Sequence, residues 1–282
     1  MDTKDAISVA EDWLQAAGVE NWQGEAKIIT AHVLNCRVNE LGLTNRVFNN
    51  KMQSELLQIL RQRSYLYPLQ YVLGEQEFMG LDFKVTPATL IPRGDTERIV
   101  EEAIELMKDA ARPVIVDVCC GSGAIAVSLA RFLPNARLVA MDISFDACQI
   151  AKENAARHNV SRQIRFLTGD LLVPLFAAGV LIDMIVCNPP YIKSSEIQNL
   201  PIEVQSEPRM ALDGGSDGLL FYRRLAIDAP MLLKDGGYLL VETGCEQKDA
   251  VCQILENKSF KIVKTINDYG GNHRGILARW QG

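Results

Sequence analysis

The chain has 282 residues, 48% of them hydrophobic, enough to bury a real core as one large or two modest domains. Its net charge of -6 argues against a protein that holds nucleic acid through a broad basic surface and leaves room only for a local basic groove. Seven scattered cysteines, no C-x-x-C pair and three histidines predict reduced thiols in a cytosolic protein and no metal centre.

The opening stretch "MDTKDAISVAEDWLQAAG" carries early acids and no basic segment leading into an apolar run, so no signal peptide is expected. No apolar stretch approaches membrane-spanning length. Residues 1–73 read as a small helical bundle. Ile7, Ala10, Trp13, Leu14 and Ala17 fall at helix-face spacing, as do Ile28, Ala31 and Leu34, then Met52, Leu56, Ile59 and Leu60. Residues 74–92 hold a linking β-hairpin, with Phe78 and Met79 before Gly80 and Phe83 and Val85 after it. Thr96, Glu97, Ile99 and Val100 then open an acidic amphipathic helix running toward Lys108.

From Pro113 the texture changes. Strands are expected at "VIVDV", "RLVAMD", "IRFLTG", "DMIVCN", "GYLLVE", "KIVKTI" and "ILARW", with helices between the first five, most clearly from Ala124, Phe145 and Gly218. That alternation predicts an α/β fold: a doubly wound, mostly parallel sheet with right-handed crossovers, ending in an antiparallel hairpin at one edge. No internal repeat is visible.

In "VIVDVCCGSGAIAVSLA" a strand ends at Asp117 and Val118, and Gly121 and Gly123 precede a helix. Glycines there let a ligand approach the backbone, and free N–H groups at the helix start favour a polar or anionic group. Asp142 ends the next strand, where a carboxylate can accept from both hydroxyls of a ribose. "GSGAIA" also fits the dinucleotide pattern G-x-G-x-x-A, so a nicotinamide or flavin enzyme stands as an alternative. Asp117 is suited to order the loop and meet a cationic amino-acid moiety, and Asp170 to bond an adenine amine. After the fourth strand, Asn188, Pro189, Pro190 and Tyr191 cannot continue the sheet, because two prolines remove two donors and fix φ.

The order D-x-x-x-G-x-G, then an acid, then G-D, then N-P-P-Y resembles the class I methyltransferases that use S-adenosylmethionine and methylate a planar nitrogen. The stretches "PLQYVLGEQEFMGLDFKVTPATLIPR", "EPRMALDGGSDGLLFYRR" and "GGYLLVETG" extend the resemblance to the PrmC or HemK family, glutamine N5-methyltransferases of the GGQ loop in peptide chain release factors. Gly94 and Asp95 depart from that family's P-E after "IPR", Cys119 and Cys120 from its glycine and threonine, and Leu171 from its aromatic.

The resemblance implies a Rossmann-like methyltransferase domain over residues 93–282 and substrate recognition by the helical domain. It implies S-adenosyl-L-methionine contacts at Asp117, Cys119, Cys120, Gly121, Ser122, Gly123, Asp142, Ile143, Asp170, Leu171 and Asn188. Catalysis falls to Asn188, Pro189, Pro190 and Tyr191, which also hold substrate with Arg93 and Glu97, although an exposed helix-start pair is the plain alternative for those two. Glu207, Pro208 and Arg209 either shape the substrate lip or close a loop, and Cys119 and Cys120 are small packing residues. The implied partner is a class I release factor, met by a cytoplasmic monomer without nucleic acid, membrane or metal. The rivals are a DNA or RNA adenine-N6 methyltransferase with the same NPPY chemistry, a nicotinamide-dependent oxidoreductase and a cofactor-free scaffold.

Overall fold

In the computed structural model, which describes residues 1–43 and 45–282, helices α1 (Thr3–Ala16), α2 (Trp22–Val33), α3 (Asn50–Arg63) and α4 (Leu69–Leu73) come first. The hairpin strands β1 (Glu75–Phe78) and β2 (Leu81–Lys84) and helix α5 (Gly94–Met107) follow. Then come β3 (Val114–Val118), α6 (Ala124–Phe132), β4 (Arg137–Asp142), α7 (Phe145–Arg157), β5 (Ile164–Thr168) and β6 (Ile182–Cys187). Short helices α8 (Ile202–Gln205) and α9 (Arg209–Leu212) precede α10 (Leu220–Asp228), β7 (Leu233–Glu242), α11 (Lys248–Glu256), β8 (Phe260–Asn267) and β9 (His273–Trp280). The chain divides into a helical unit, Met1–Glu75 with Pro201–Ser206, and an α/β unit, Gln76–Leu200 with Glu207–Gly282.

In the helical unit α1 starts on a capping box, the Asp2 side chain accepting from Asp5 N while the Asp5 side chain accepts from Asp2 N. The face it buries is Ala6, Ala10 and Leu14, not the expected stripe that included Trp13. Trp13 is 40% exposed and its indole N–H donates to Ser64 Oγ at 2.6 Å, so its polar edge is satisfied at the surface of the bundle. In α2 the buried residue is likewise Ile29 rather than Ile28. Ala31, Leu34, Leu56, Ile59 and Leu60 complete the core as the spacing predicts.

Arg63 is a charged residue inside this unit, 2% exposed. Its guanidinium donates to both oxygens of Glu25, at 2.6 and 3.0 Å, to the Tyr67 carbonyl at 3.3 Å and to Glu203 at 2.5 Å. The fork supplies enough donors to satisfy two carboxylates and a carbonyl, and it ties α8 to the helices.

The α/β unit is built on a seven-stranded sheet in the order β5-β4-β3-β6-β7-β9-β8, parallel from β5 to β7 and antiparallel at β9 and β8. The expected edge hairpin is present, with its second strand inserted beside β7 and its first strand outermost. Alternation along the strands sends Ile115, Ala140, Met184 and Leu240 into one apolar cluster with α5, α6 and α7. Val116, Met141, Ile185 and Val241 go into the other with α10 and α11. A parallel sheet covered on both faces explains why its strands read as near-continuous apolar runs. Phe78 and Phe83 of the β1–β2 hairpin lie in the first cluster. One expectation fails: the connection from β5 to β6 carries only the 3-10 turn Val173–Leu175 rather than a helix. The stretch is only about a dozen residues and Pro174 removes a donor at its start, so little helix can propagate there.

Strand order reverses at β3, since β4 and β5 extend the sheet on one side and β6 and β7 on the other. The segments after β3 and β6 therefore leave the same carboxyl edge at the switch point, where open α/β sheets bind ligands.

Candidate active site

The glycine loop turns sharply after β3. Cys119 has φ 61° and Gly121 and Gly123 have φ 54° and 79°, so three residues of the loop sit in the left-handed region, one of them without glycine's freedom. Gly123 is required twice over, because a Cβ there would also lie 2.9 Å from the Ala151 Cβ of α7. Some of the expected free N–H groups are already taken, while no donor bond is seen from Ser122 N, Ala124 N or Ile125 N among the described residues. Gly121 N donates to Asp142 Oδ2 at 2.9 Å, Ser144 N to Asp142 Oδ1 at 2.9 Å and Ala126 N to Asp117 Oδ2 at 3.0 Å. Carboxylates of the protein thus occupy two of the donors around the loop and α6 start, Gly121 N and Ala126 N, that an anionic ligand would use.

Strand alternation turns Asp117 inward to the face that α6 covers, where it is fully buried. Burial raises its pKa to about 8, with the Asp142 charge adding to the effect and the Ala126 N–H opposing it. Among the described residues its Oδ1 has no hydrogen-bond partner. Asp142 is also pushed up by burial, against the backbone N–H groups that hold its charged form.

Above the loop opens a cavity of about 380 Å³. Of the residues singled out from the sequence, Cys119, Gly121, Asp142, Ile143, Asp170, Leu171, Asn188 and Pro190 line it. Asp117, Cys120, Ser122, Gly123, Pro189 and Tyr191 lie within two residues of these in the chain without lining the cavity, and Arg93 and Glu97 do not line it either. Glu97 accepts from Met79 N at 2.7 Å and so fastens the hairpin turn, whereas Arg93 pairs with the buried Glu207, which also accepts from Ile91 N at 2.9 Å. Pro208, next to Glu207, does reach the cavity. Phe221 and Arg224 of α10 line it too; both fall in the resembling stretch "EPRMALDGGSDGLLFYRR" but were not singled out there, and Arg224 pairs with Asp170 at 2.8 Å.

Asn188, on the cavity wall, comes just after β6, and Glu242 ends the neighbouring β7, where Cys187 pairs with Val241. Asn188 Nδ2 donates to Thr96 Oγ1 at 3.3 Å, and Thr96 Oγ1 donates to Glu242 Oε2 at 2.6 Å. Among the described residues no donor reaches the Asn188 side-chain oxygen or the Pro189 carbonyl. The Tyr191 carbonyl is held by Gln247 Nε2 at 2.9 Å, the same nitrogen donating to the Gly218 carbonyl at 3.2 Å. Burial, with the Glu242 charge nearby, raises the Tyr191 hydroxyl above its ordinary range, so it stays protonated and is no base. Sequence reading missed Thr96 as a site residue, Glu242 and Gln247. The one visible signal was an acid closing the apolar run "GYLLVE".

Chemically, the cavity wall carries Asp142, Asp146 and Asp170 against the single cation Arg224, itself paired, plus the unfilled acceptor of Asn188. Such a wall suits a ligand bearing positive charge and hydroxyl or amine donors, and it repels the doubly charged pyrophosphate of a dinucleotide.

Comparison with known proteins agrees with this geometry. Residues 103–215 match the family model described as Methyltransferase small domain, and residues 5–74 that of the PrmC N-terminal domain. A release factor glutamine methyltransferase of Moorella thermoacetica is 41% identical over 282 residues, covering 99% of this chain and 98% of the relative. That of Clostridium acetobutylicum is 35% identical over 281 residues, covering 99% and 98%. In fold, the chain is similar to a methyltransferase from Pyrococcus furiosus (TM-score 0.51, 18% identity, 83% of this chain and 100% of that one). It is also similar to the catalytic domain of hMettl16 (TM-score 0.58, 18% identity, 83% and 81%). With two curated relatives matched across nearly their whole length, this chain belongs to the release factor glutamine methyltransferase family.

Proposed function

We propose that the protein transfers a methyl group from S-adenosyl-L-methionine to the side-chain amide nitrogen of the glutamine in the GGQ loop of class I peptide chain release factors. The observation that carries this reading is the pair of acceptors without internal donors, the Asn188 side-chain oxygen and the Pro189 carbonyl, at the edge of an acidic cavity. The residues present fit the cofactor. Asp142 and Asp170 offer acceptors for ribose hydroxyls and an adenine amine, Leu171 and Phe221 offer apolar surface, and the partnerless oxygen of Asp117 sits beneath the loop as a counter-charge for an ammonium group. When bound, the cofactor supplies a methyl carbon activated by a sulfonium.

A glutamine amide nitrogen is a poor nucleophile because its lone pair is delocalised, so orientation supplies much of the rate. Asn188 Oδ1 and the Pro189 carbonyl each accept one N–H of the amide, which fixes its plane and favours the positive charge that develops on nitrogen. The fixed φ of the prolines keeps the carbonyl in place, and the Tyr191 ring packs against the amide. No strong base is needed, since the proton is lost to solvent once the nitrogen carries the methyl. The helical unit gives the release factor its second contact, and the enzyme works as a cytoplasmic monomer.

Transfer of labelled methyl to an intact class I release factor, to its loop Gln→Ala variant and to unmethylated duplex DNA tests the reading. Label on the factor, lost in the loop variant, is the expected result, and Asn188→Ala lowers turnover at least 100-fold with folding retained. Label on DNA alone would keep the NPPY chemistry and overturn the substrate.

A further inference from the structure

An asparagine side chain can present either its oxygen or its NH2 group to a neighbour, and only the oxygen can receive a substrate N–H. The choice at Asn188 is made behind it. Thr96, in the first turn of α5 and 5% exposed, has one hydroxyl proton, and that proton goes to Glu242. Its oxygen is then an acceptor only, so it takes an N–H from Asn188, a residue of the cavity wall, and leaves the amide oxygen for another donor. Glu242 is itself 2% exposed at the end of β7, and its carboxylate anchors the direction of the chain from Asn188 through Thr96.

We propose that Thr96 and Glu242 are positioning residues that hold the Asn188 amide with its oxygen facing the reacting nitrogen. The inference rests on the functional reading above and adds to it the groups that make Asn188 competent. A chain of donors running one way has a second state, in which every bond reverses. Protonation of Glu242 gives it a donor toward Thr96, frees the Thr96 proton for Asn188 Oδ1 and turns the NH2 group to the substrate, where two donors face each other.

The groups facing Glu242 determine when this happens. Burial raises its pKa to about 7, against the donors Thr96 and Asn188 and the charge of Arg274 on β9, while Asp95 on α5 pushes it further up. Arg274 is shared with Asp95 at 3.0 Å and Asp268 at 3.1 Å, which weakens its hold on Glu242. Tyr191 and Tyr222 are further titratable neighbours among the described residues, and both stay neutral because burial raises them; Tyr222 Oη donates to the Glu242 backbone carbonyl at 2.9 Å. The relay is therefore set with its oxygen forward above about pH 7 and reversed below it.

The test uses the full-length protein with a release factor as methyl acceptor. Thr96→Val is expected to lower kcat at least tenfold while KM for the factor and the Kd of S-adenosylmethionine hold, and Thr96→Ser, which keeps the hydroxyl, recovers most of the loss. In the wild type kcat falls as pH drops through about 7; in Glu242→Gln that limb flattens, and the double variant T96V/E242Q loses no more than the worse single one. Independently of turnover, the side-chain amide 15N–1H signals of Asn188 in the protein alone shift in Thr96→Val and move with pH through the same range. An unchanged kcat in a folded Thr96→Val, or a low-pH limb that survives in Glu242→Gln, overturns the positioning role. Should Thr96→Val fail to fold, the wild-type amide signals decide: a titration supports the relay and its absence overturns it. If the wild type transfers no label to a release factor, the functional reading fails and the relay's role in that reaction falls with it. The amide signals then still report whether the relay exists.

Discussion

Asp117 shows how burial sets the charge state of one residue. Its carboxyl accepts from Ala126 N in the first turn of α6, yet burial leaves it with a pKa of about 8, so near neutrality it is largely protonated. A cation held in the cavity above it favours the charged form and lowers that value. Binding of S-adenosylmethionine at pH 7 to 8 is therefore expected to release a proton, detected by calorimetry in buffers of different ionisation enthalpy. Asp117→Asn abolishes that release and weakens binding by about 2–3 kcal/mol, roughly 100-fold. The stability effect has the opposite sign. A carboxyl whose folded pKa is raised from 3.8 to about 8 contributes most below the lower value and loses that contribution as pH rises through the upper one. The thermal midpoint of Asp117→Asn should thus exceed the wild type's by a margin that widens from pH 4 to pH 8 and then levels off. That an acid stands at the strand end before a glycine turn was legible in the sequence. Its complete burial was not, since that depends on which helix covers that face.

At the scale of elements, the segment after β6 is irregular and would wander without support. The turn before α10 supplies it: Gly218 has φ 73°, and a Cβ there would meet the Tyr191 carbonyl oxygen at 2.4 Å and Gln247 Nε2 at 2.6 Å. Gln247, just before α11, bonds both carbonyls with one nitrogen while its oxygen accepts from Gly244 N at 3.0 Å. Gly218→Ala combines backbone strain with the loss of this clamp. It should destabilise the protein by about 2 kcal/mol and lower kcat beyond what the loss of folded protein accounts for, which denaturation and active-fraction titration separate. The stretch "DGGSDG" reads as a turn from its residues alone, but nothing local tells which backbone it must approach. In the same way, the spacing in α1 announced a helix, while the face it buries was set by its neighbours: Ala6 went in and Trp13, with a partner in Ser64, stayed out.

Considered as a whole molecule, the chain visits its helical unit twice, since Pro201–Ser206 belongs with Met1–Glu75 although the residues on either side belong to the α/β unit. The tie is Arg63, whose removal would strand the Glu25 and Glu203 carboxylates. Arg63→Ala is expected to destabilise the helical unit by about 3 kcal/mol and to raise hydrogen exchange and proteolysis across residues 201–206, while Arg63→Lys, with a point charge in place of the fork, recovers only part.

The sequence by itself determined the sheet and most of the helices that cover it, because strand alternation, turn glycines and paired prolines act within a few residues of chain. Only the tertiary structure decided that Arg63 is buried, that Gly121 N and Ala126 N are already taken by Asp142 and Asp117, and that Thr96 and Glu242 stand behind Asn188. These are contacts between residues 9 to 146 positions apart, and a hydrogen bond's direction depends on which partner the fold brings to it.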